Sequence, residues 1–179
     1  EIAAAGHAPH EVPSGPDGFL YPGTCRHLEP TNRAERLAAG APYALRLKTD
    51  EAARAAGPLS WFDHVRGEQS ARPEIYGDVV LARKDTPTSY HLAVTVDDAL
   101  QDISLVTRGE DLLEASHVHR LLQALLELPV PEYHHHGLIM GPGGKRLAKR
   151  DASATLKHLR EAGKTPTDVR TMAGFGDAR

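Results

Sequence analysis

The sequence predicts an α/β fold, and three observations carry that prediction. From Tyr90 onward helical and strand-like patterns alternate, which is the mark of a parallel sheet with crossover helices. Before residue 86, strand-like runs follow one another, which suits a small antiparallel α+β insertion. Of the 179 residues, 40% are apolar and 25% charged, a composition that builds a buried core.

In chain order, Glu1 to Gly6 reads as the tail of a helix closing on glycine, with no initiator Met and no signal-peptide pattern. An N-terminal portion is therefore expected to precede it. Residues 6–25 are rich in glycine and proline and are expected to form a loop pinned by something other than a core. Thr31 to Ala39 is helical, with Gly40 as its stop. Tyr43 to Lys48 alternates as a half-exposed strand does, and Thr49 caps an alanine-rich helix ending at Gly57. Ser60 to Arg66 and Tyr76 to Arg83 read as two strands.

Tyr90 to Leu100 is helix-like, and Ile103 to Thr107 is a short β-branched strand. Glu110 to Leu128 is a long amphipathic helix, since Leu113, Leu121, Leu122, Leu125 and Leu128 recur at helical spacing. A strand from Tyr133 to Met140 follows two prolines. A glycine loop from Gly143 then leads to short helices around Ala154–Ala162 and Thr167–Ala173.

Composition narrows the functional classes. There are 21 basic and 24 acidic residues, a net charge of −3, so the chain is not a broadly basic nucleic-acid binder. No apolar run is long enough to span a bilayer, so no membrane partner is expected. A single cysteine, Cys25, excludes an internal disulfide framework and fits a reducing cytoplasm.

Four features could carry chemistry. The loop Gly143-Gly144-Lys145-Arg146-Leu147-Ala148-Lys149-Arg150 presents several cations on a glycine turn, which suits nucleotide phosphates or, equally, a solvated basic turn. It opens a stretch from 144 to 170 with eight basic residues against three acids, a local match for a polyanion. Arg108 stands at a strand-to-helix junction, where a guanidinium can fork onto a carboxylate or pair with Glu110, Asp111 or Asp98. Tyr90 opens the preceding helix and faces either the same crevice or the core. Tyr21 and Cys25 compete with the eleven histidines as metal ligands. His134, His135 and His136 point to alternate faces of a strand, and His117 and His119 face different ways on a helix, so the histidines read as packing or polar-tip residues.

Several blocks then occur in order: Tyr21-Pro22-Gly23-Thr24-Cys25-Arg26, Phe62-Asp63-His64-Val65-Arg66-Gly67, Asp78-Val79-Val80-Leu81, and Ser89-Tyr90-His91-Leu92-Ala93-Val94-Thr95-Val96-Asp97-Asp98-Ala99. Arg108-Gly109-Glu110-Asp111-Leu112-Leu113, Pro131-Glu132-Tyr133 and Lys145-Arg146-Leu147-Ala148-Lys149-Arg150 follow them. Together they resemble the glutamyl branch of the class I aminoacyl-tRNA synthetases over nearly the whole length. The stretch Leu159 to Pro166 and the stop at Arg179, where a full glutamyl-tRNA synthetase continues into a helical anticodon-binding domain, are similar to a truncated paralogue of that branch.

The resemblance implies the second half of a class I Rossmann-type catalytic domain over residues 89–179. It implies a zinc-knuckle remnant and an α+β, zinc-bearing, acceptor-binding-type insertion over residues 1–88. It also implies that L-glutamate, ATP with Mg²⁺, and a tRNA(Asp) carrying queuosine are the partners, and that the protein is a monomer. Arg146, Leu147, Ala148, Lys149 and Arg150 match the Lys-Met-Ser-Lys-Ser signature, which makes Lys149 the catalytic contact to ATP phosphates. Tyr90 and Arg108 match the glutamate-binding tyrosine and arginine. Tyr21 and Cys25 match the last two zinc ligands, whose two partners are expected upstream of Glu1.

There are departures from the family pattern. Val94 stands where an asparagine is frequent, Ala148 replaces a serine, and the His-Ile-Gly-His signature has no counterpart in these residues. The 179-residue chain alone is therefore expected to be inactive. The alternatives are a piece of an ordinary glutamyl-tRNA synthetase, which charges a tRNA 3′ end, or a non-catalytic tRNA- or zinc-binding remnant.

Overall fold

A short hairpin opens the described chain: β1 (Ser14–Gly15) pairs antiparallel with β2 (Gly18–Phe19) around Pro16 and Asp17. The structure, a computed structural model, describes residues 13–140 and 155–175. The chain divides into two compact units, Glu1–His135 and His136–Arg179. The hairpin falls where a loop is expected. Its close fit is the reason: a Cβ on Gly15 would collide with the Ile75 carbonyl and the Leu20 side chain.

Helix α1 (Pro30–Ala38) ends as expected on Gly40, whose φ of 71° lets its amide and that of Ala41 reach the Leu37 and Arg36 carbonyls. β3 (Ala44–Leu47) pairs antiparallel with β6 (Val79–Arg83), with an irregularity between Leu45 and Arg46. That matches the antiparallel expectation for this region. Helix α2 (Thr49–Ala56) starts one residue earlier than a Thr49 cap requires; the buried Thr49 hydroxyl instead donates to the Leu47 carbonyl at 3.4 Å.

The expected strand Ser60 to Arg66 is two strands. β4 (Ser60–Asp63) turns into β5 (Gly67–Ser70), because Asp63 Oδ1 accepts the Val65 and Arg66 amides at 2.8 and 3.0 Å and Gly67 takes φ 73°. A 3-10 turn, Pro73–Tyr76, precedes β6, so the second strand begins at Val79 rather than Tyr76.

Ser89 caps helix α3 (Tyr90–Leu100) by accepting the Leu92 amide at 3.3 Å. β7 (Leu105–Gly109) leads through a 3-10 turn, Glu110–Leu112, into helix α4 (Ala115–Leu125). The helix is shorter than its apolar pattern predicts because that turn takes up its first residues and Glu127 closes it with φ 53°. β8 (Glu132–His136) follows and is shorter than the expected run to Met140.

β8 pairs in parallel with β4, Asp63 opposite Tyr133, in a sheet of order β5-β4-β8-β7. Parallel pairing thus joins a strand before residue 88 to one after it. The core is formed by Tyr76, Val79, Val118 and Leu122, with Leu47, Ile75 and Leu81 packed against it. Complete burial of side chains such as Val118 and Leu122 contributes about 1.5–3 kcal/mol each.

In the second unit, α5 (Leu156–Glu161) is capped by Thr155. α6 (Pro166–Met172) carries a capping box between Thr165 and Asp168. No helix among the described residues is long and apolar enough to cross a membrane.

Candidate functional site

Tyr90 is half exposed and lines a cleft of about 800 Å³ together with Asp17, Ser89, His91, Asp111 and Glu114. It faces this cleft rather than the core, but the cleft is not shared with Arg108. Its ring meets His119 edge-on with centroids 5.8 Å apart.

Arg108, half-buried on β7, does not itself line that cleft and is reached from Tyr90 through His119. Its Nη2 donates to Ser116 Oγ at 2.7 Å, its Nε to His135 Nε2 at 3.0 Å, and its Nη1 to His119 Nδ1 at 3.3 Å. The guanidinium also lies over the Tyr133 ring, 5.3 Å from its centre. Glu110, one of the carboxylates open to Arg108 in the sequence, pairs instead with Arg66 at 2.8 Å.

A guanidinium only donates, so both imidazoles must accept from it, and this assigns their tautomers. His135 then donates from Nδ1 to Asp63 Oδ2 at 2.6 Å. His119 donates from Nε2 to His91 Nδ1 at 3.1 Å, and His91 Nε2 donates to Asp17 Oδ2 at 3.2 Å. Two hydrogen-bonded wires thus leave Arg108, and each ends on a carboxylate.

The electrostatics agree with neutral imidazoles. Burial, reinforced by Arg108 and His91, pushes His119 down to about 2. Burial and Arg108 also hold His135 below its ordinary range, against the opposing pull of the Asp63 hydrogen bond. Burial raises Asp63, but its bonds from His135 and the Val65 and Arg66 amides outweigh that and leave the carboxyl below its ordinary range.

Sequence reasoning missed His119, His135, Ser116 and Asp63 as site residues. The packing role does hold for His117, whose Nδ1 accepts the Arg72 amide at 3.1 Å and whose ring meets Trp61 edge-on at 4.8 Å. For His135 and His119 it is incomplete, since both hold Arg108. The period of a strand was the available signal: it sets Tyr133 and His135 on one buried face of β8 and leaves His136 exposed.

Tyr21 and Cys25 are neighbours: Tyr21 Oη accepts the Cys25 amide at 2.7 Å. Arg46 covers the Tyr21 ring at 4.3 Å. No group of three or more His, Cys, Asp or Glu suited to a metal occurs among the described residues. Two donor atoms fall short of the four that a structural zinc takes, and Tyr21 Oη is engaged by the Cys25 amide. Arg146, Leu147, Ala148, Lys149 and Arg150 lie outside the described residues.

The family model described as "tRNA synthetases class I (E and Q), catalytic domain" matches residues 13–175. The chain belongs to this family. A "Glutamyl-Q tRNA(Asp) synthetase" of Rhodobacter capsulatus is 48% identical over 98% of the chain and 64% of its own length. A protein of the same name from Nocardia farcinica is 44% identical over 94% of the chain and 50% of its own length.

A glutamate tRNA ligase from Elizabethkingia meningosepticum, solved in complex with its amino acid, superposes with a TM-score of 0.61. It is 30% identical, over 76% of this chain and 28% of that one. The class I synthetase chain described here thus has the α/β catalytic-domain fold of its family, and it spans about half to two thirds of the length of these two curated relatives.

Proposed function

We propose that the protein carrying this chain is a ligase that activates L-glutamate with ATP and transfers the glutamyl group to the queuosine base in the anticodon of tRNA(Asp). The observation that carries the amino-acid half of this reading is the setting of Arg108. Three of the five N–H donors of its guanidinium go to neutral acceptors, which leaves two for a substrate carboxylate. Tyr90, one residue away through His119, borders the cleft where the amino acid would enter.

In the first step the glutamate α-carboxylate attacks the α-phosphorus of ATP, forming glutamyl-adenylate and releasing pyrophosphate. Lys149, with Arg146, Leu147, Ala148 and Arg150 in the same loop, meets the phosphate charge, and Mg²⁺ arrives with ATP as part of the substrate complex. A hydroxyl of the queuosine base then attacks the adenylate carbonyl, forming the glutamyl ester and displacing AMP. Tyr21 and Cys25 supply two donors to a structural zinc whose other ligands lie elsewhere in the whole protein.

The RNA half rests on the names of the relatives that are 40–48% identical over most of the chain. Relatives named glutamate--tRNA ligase 2, at 36–41% identity, favour the second reading, charging of a tRNA 3′ end. The test offers labelled glutamate and ATP to the whole protein with three RNAs: queuosine-containing tRNA(Asp), queuosine-free tRNA(Asp) and tRNA(Glu). Label on the first alone is the expected result. Label on the 3′ end of tRNA(Glu) would replace this reading with the second.

A further inference from the structure

A half-buried cation ordinarily takes a carboxylate partner, because burial without one is costly. Arg108 does not follow that pattern. Its three acceptors are a serine hydroxyl and two imidazoles, and the nearest carboxylate along one wire, Asp63, stands behind His135. We infer that Asp63 and His135 are positioning residues for Arg108: Asp63 fixes the tautomer that turns a bare ring nitrogen to the guanidinium, which is held in place by neutral acceptors, with no carboxylate hydrogen-bonded to it among the described residues, for a substrate carboxylate. This rests on the reading that Arg108 binds glutamate.

The geometry allows His135 little freedom. Asp63 and His135 are both fully buried, and Asp63 Oδ2 lies 2.6 Å from His135 Nδ1. Asp63 Oδ1 is occupied by the Val65 and Arg66 amides, so the carboxylate cannot rotate away. The imidazole stacks on Tyr133 with ring centres 5.6 Å apart and planes within 7°. Ser116 Oγ, 3.3 Å from His135 Nε2, closes the same corner and is itself fully buried. A carboxylate at position 135 would pair with the guanidinium directly and compete with the substrate. A neutral imidazole orients it without competing.

Asp63→Asn tests the tautomer. The carboxamide oxygen stays on the Val65 and Arg66 amides, and its NH₂ then faces His135 Nδ1 and the His135 amide, which donates to Asp63 Oδ2 at 3.3 Å in the unaltered chain. The imidazole must carry its hydrogen on Nε2, which sets N–H against the Arg108 N–H. In glutamate-dependent ATP–pyrophosphate exchange by the whole protein, the expected result is a glutamate KM raised about tenfold or more. The ATP KM should stay within about twofold, and the His135 ¹⁵N shifts should report the switched tautomer. A merely structural role would lower the melting midpoint and the active fraction without moving the glutamate KM.

The ¹⁵N shifts of His135 in the unaltered protein decide the matter if Asp63→Asn does not fold: a bare Nε2 and a protonated Nδ1 are expected, and a hydrogen on Nε2 overturns the inference. Arg108→Lys is the control. An unchanged glutamate KM in folded Asp63→Asn, with a raised one in Arg108→Lys, overturns this inference and keeps the glutamate reading. No change in Arg108→Lys overturns both.

Discussion

Arg108 donates its Nε hydrogen to the Nε2 atom of His135 at 3.0 Å, so a buried imidazole meets the guanidinium as a neutral acceptor. The arrangement is self-consistent only if His135 passes its own hydrogen to Asp63, and the 2.6 Å separation there agrees. The same logic runs through His119 and His91 to Asp17. One cation thereby orders three histidines.

Arg108→Lys should weaken use of glutamate more than use of ATP. A lysine cannot occupy three acceptors in a plane and still fork onto a carboxylate. Loss of charge-assisted hydrogen bonding worth about 1.5–3 kcal/mol predicts a glutamate KM at least about tenfold higher. Pyrophosphate exchange at varied glutamate and ATP measures it, and equal dependence on both would make Arg108 a structural residue.

Lys149→Ala in the whole protein should slow pyrophosphate exchange by on the order of 10²-fold, the loss expected for one charge contact made in the transition state. The glutamate KM should move little. A rate close to that of the unaltered protein would remove Lys149 from the adenylation step.

Acid should destabilise the first unit before its carboxylates titrate. His119 and His135 lie below the ordinary imidazole value of 6.5 in the folded chain, so the unfolded chain takes up their protons first. Their contribution is complete above about pH 6.5 and falls away as pH drops below it, for His119 down to about 2. Melting midpoints should be level from about pH 7 to 8 and decline toward pH 5. His119→Gln should flatten that decline, and an unaltered slope would count against the assignment.

Gly15→Ala should loosen the opening hairpin, because the added Cβ meets the Ile75 carbonyl, which cannot move aside as a flexible side chain would. A cost of about 1–3 kcal/mol is expected for such overpacking. Denaturant unfolding gives the cost, and hydrogen exchange should show faster exchange at Leu20, whose amide donates to Pro13 at 2.9 Å. Wild-type protection at Leu20 would show that the backbone shifts freely here.

Zinc should not stay firmly bound to the 179-residue chain through Tyr21 and Cys25, since two donors make half of a structural site. Elemental analysis after gel filtration checks this. One tightly held zinc per chain would direct attention to the histidines.

Much of the fold was legible in the residues because its causes are local. Ser89 followed by an apolar helical run marks α3, Gly40 stops α1, and alternation from Tyr43 marks β3. Ordered motifs around Tyr21, Tyr90 and Arg108 are those of the family to which the chain belongs. The misread elements depend on side-chain contacts that an apolar pattern does not carry, near in sequence for β4 and far for the opening hairpin. Asp63 ends β4 because its side chain takes the turn amides, and Gly15 is needed because Ile75 approaches it from sixty residues away.

By itself, then, the sequence determined the alternation of elements and the family, and it set Tyr90 at a helix start and Arg108 at a strand end. Tertiary structure alone decided what holds Arg108. Ser116, His119 and His135 come from α4 and β8 and converge on β7 only when these elements pack, and Asp63 joins them only when β4 pairs with β8. A histidine's pattern in sequence is the same whether it packs, binds a metal or accepts a hydrogen bond. Only the donor facing its ring nitrogen separates these roles, and that donor is brought there by the fold.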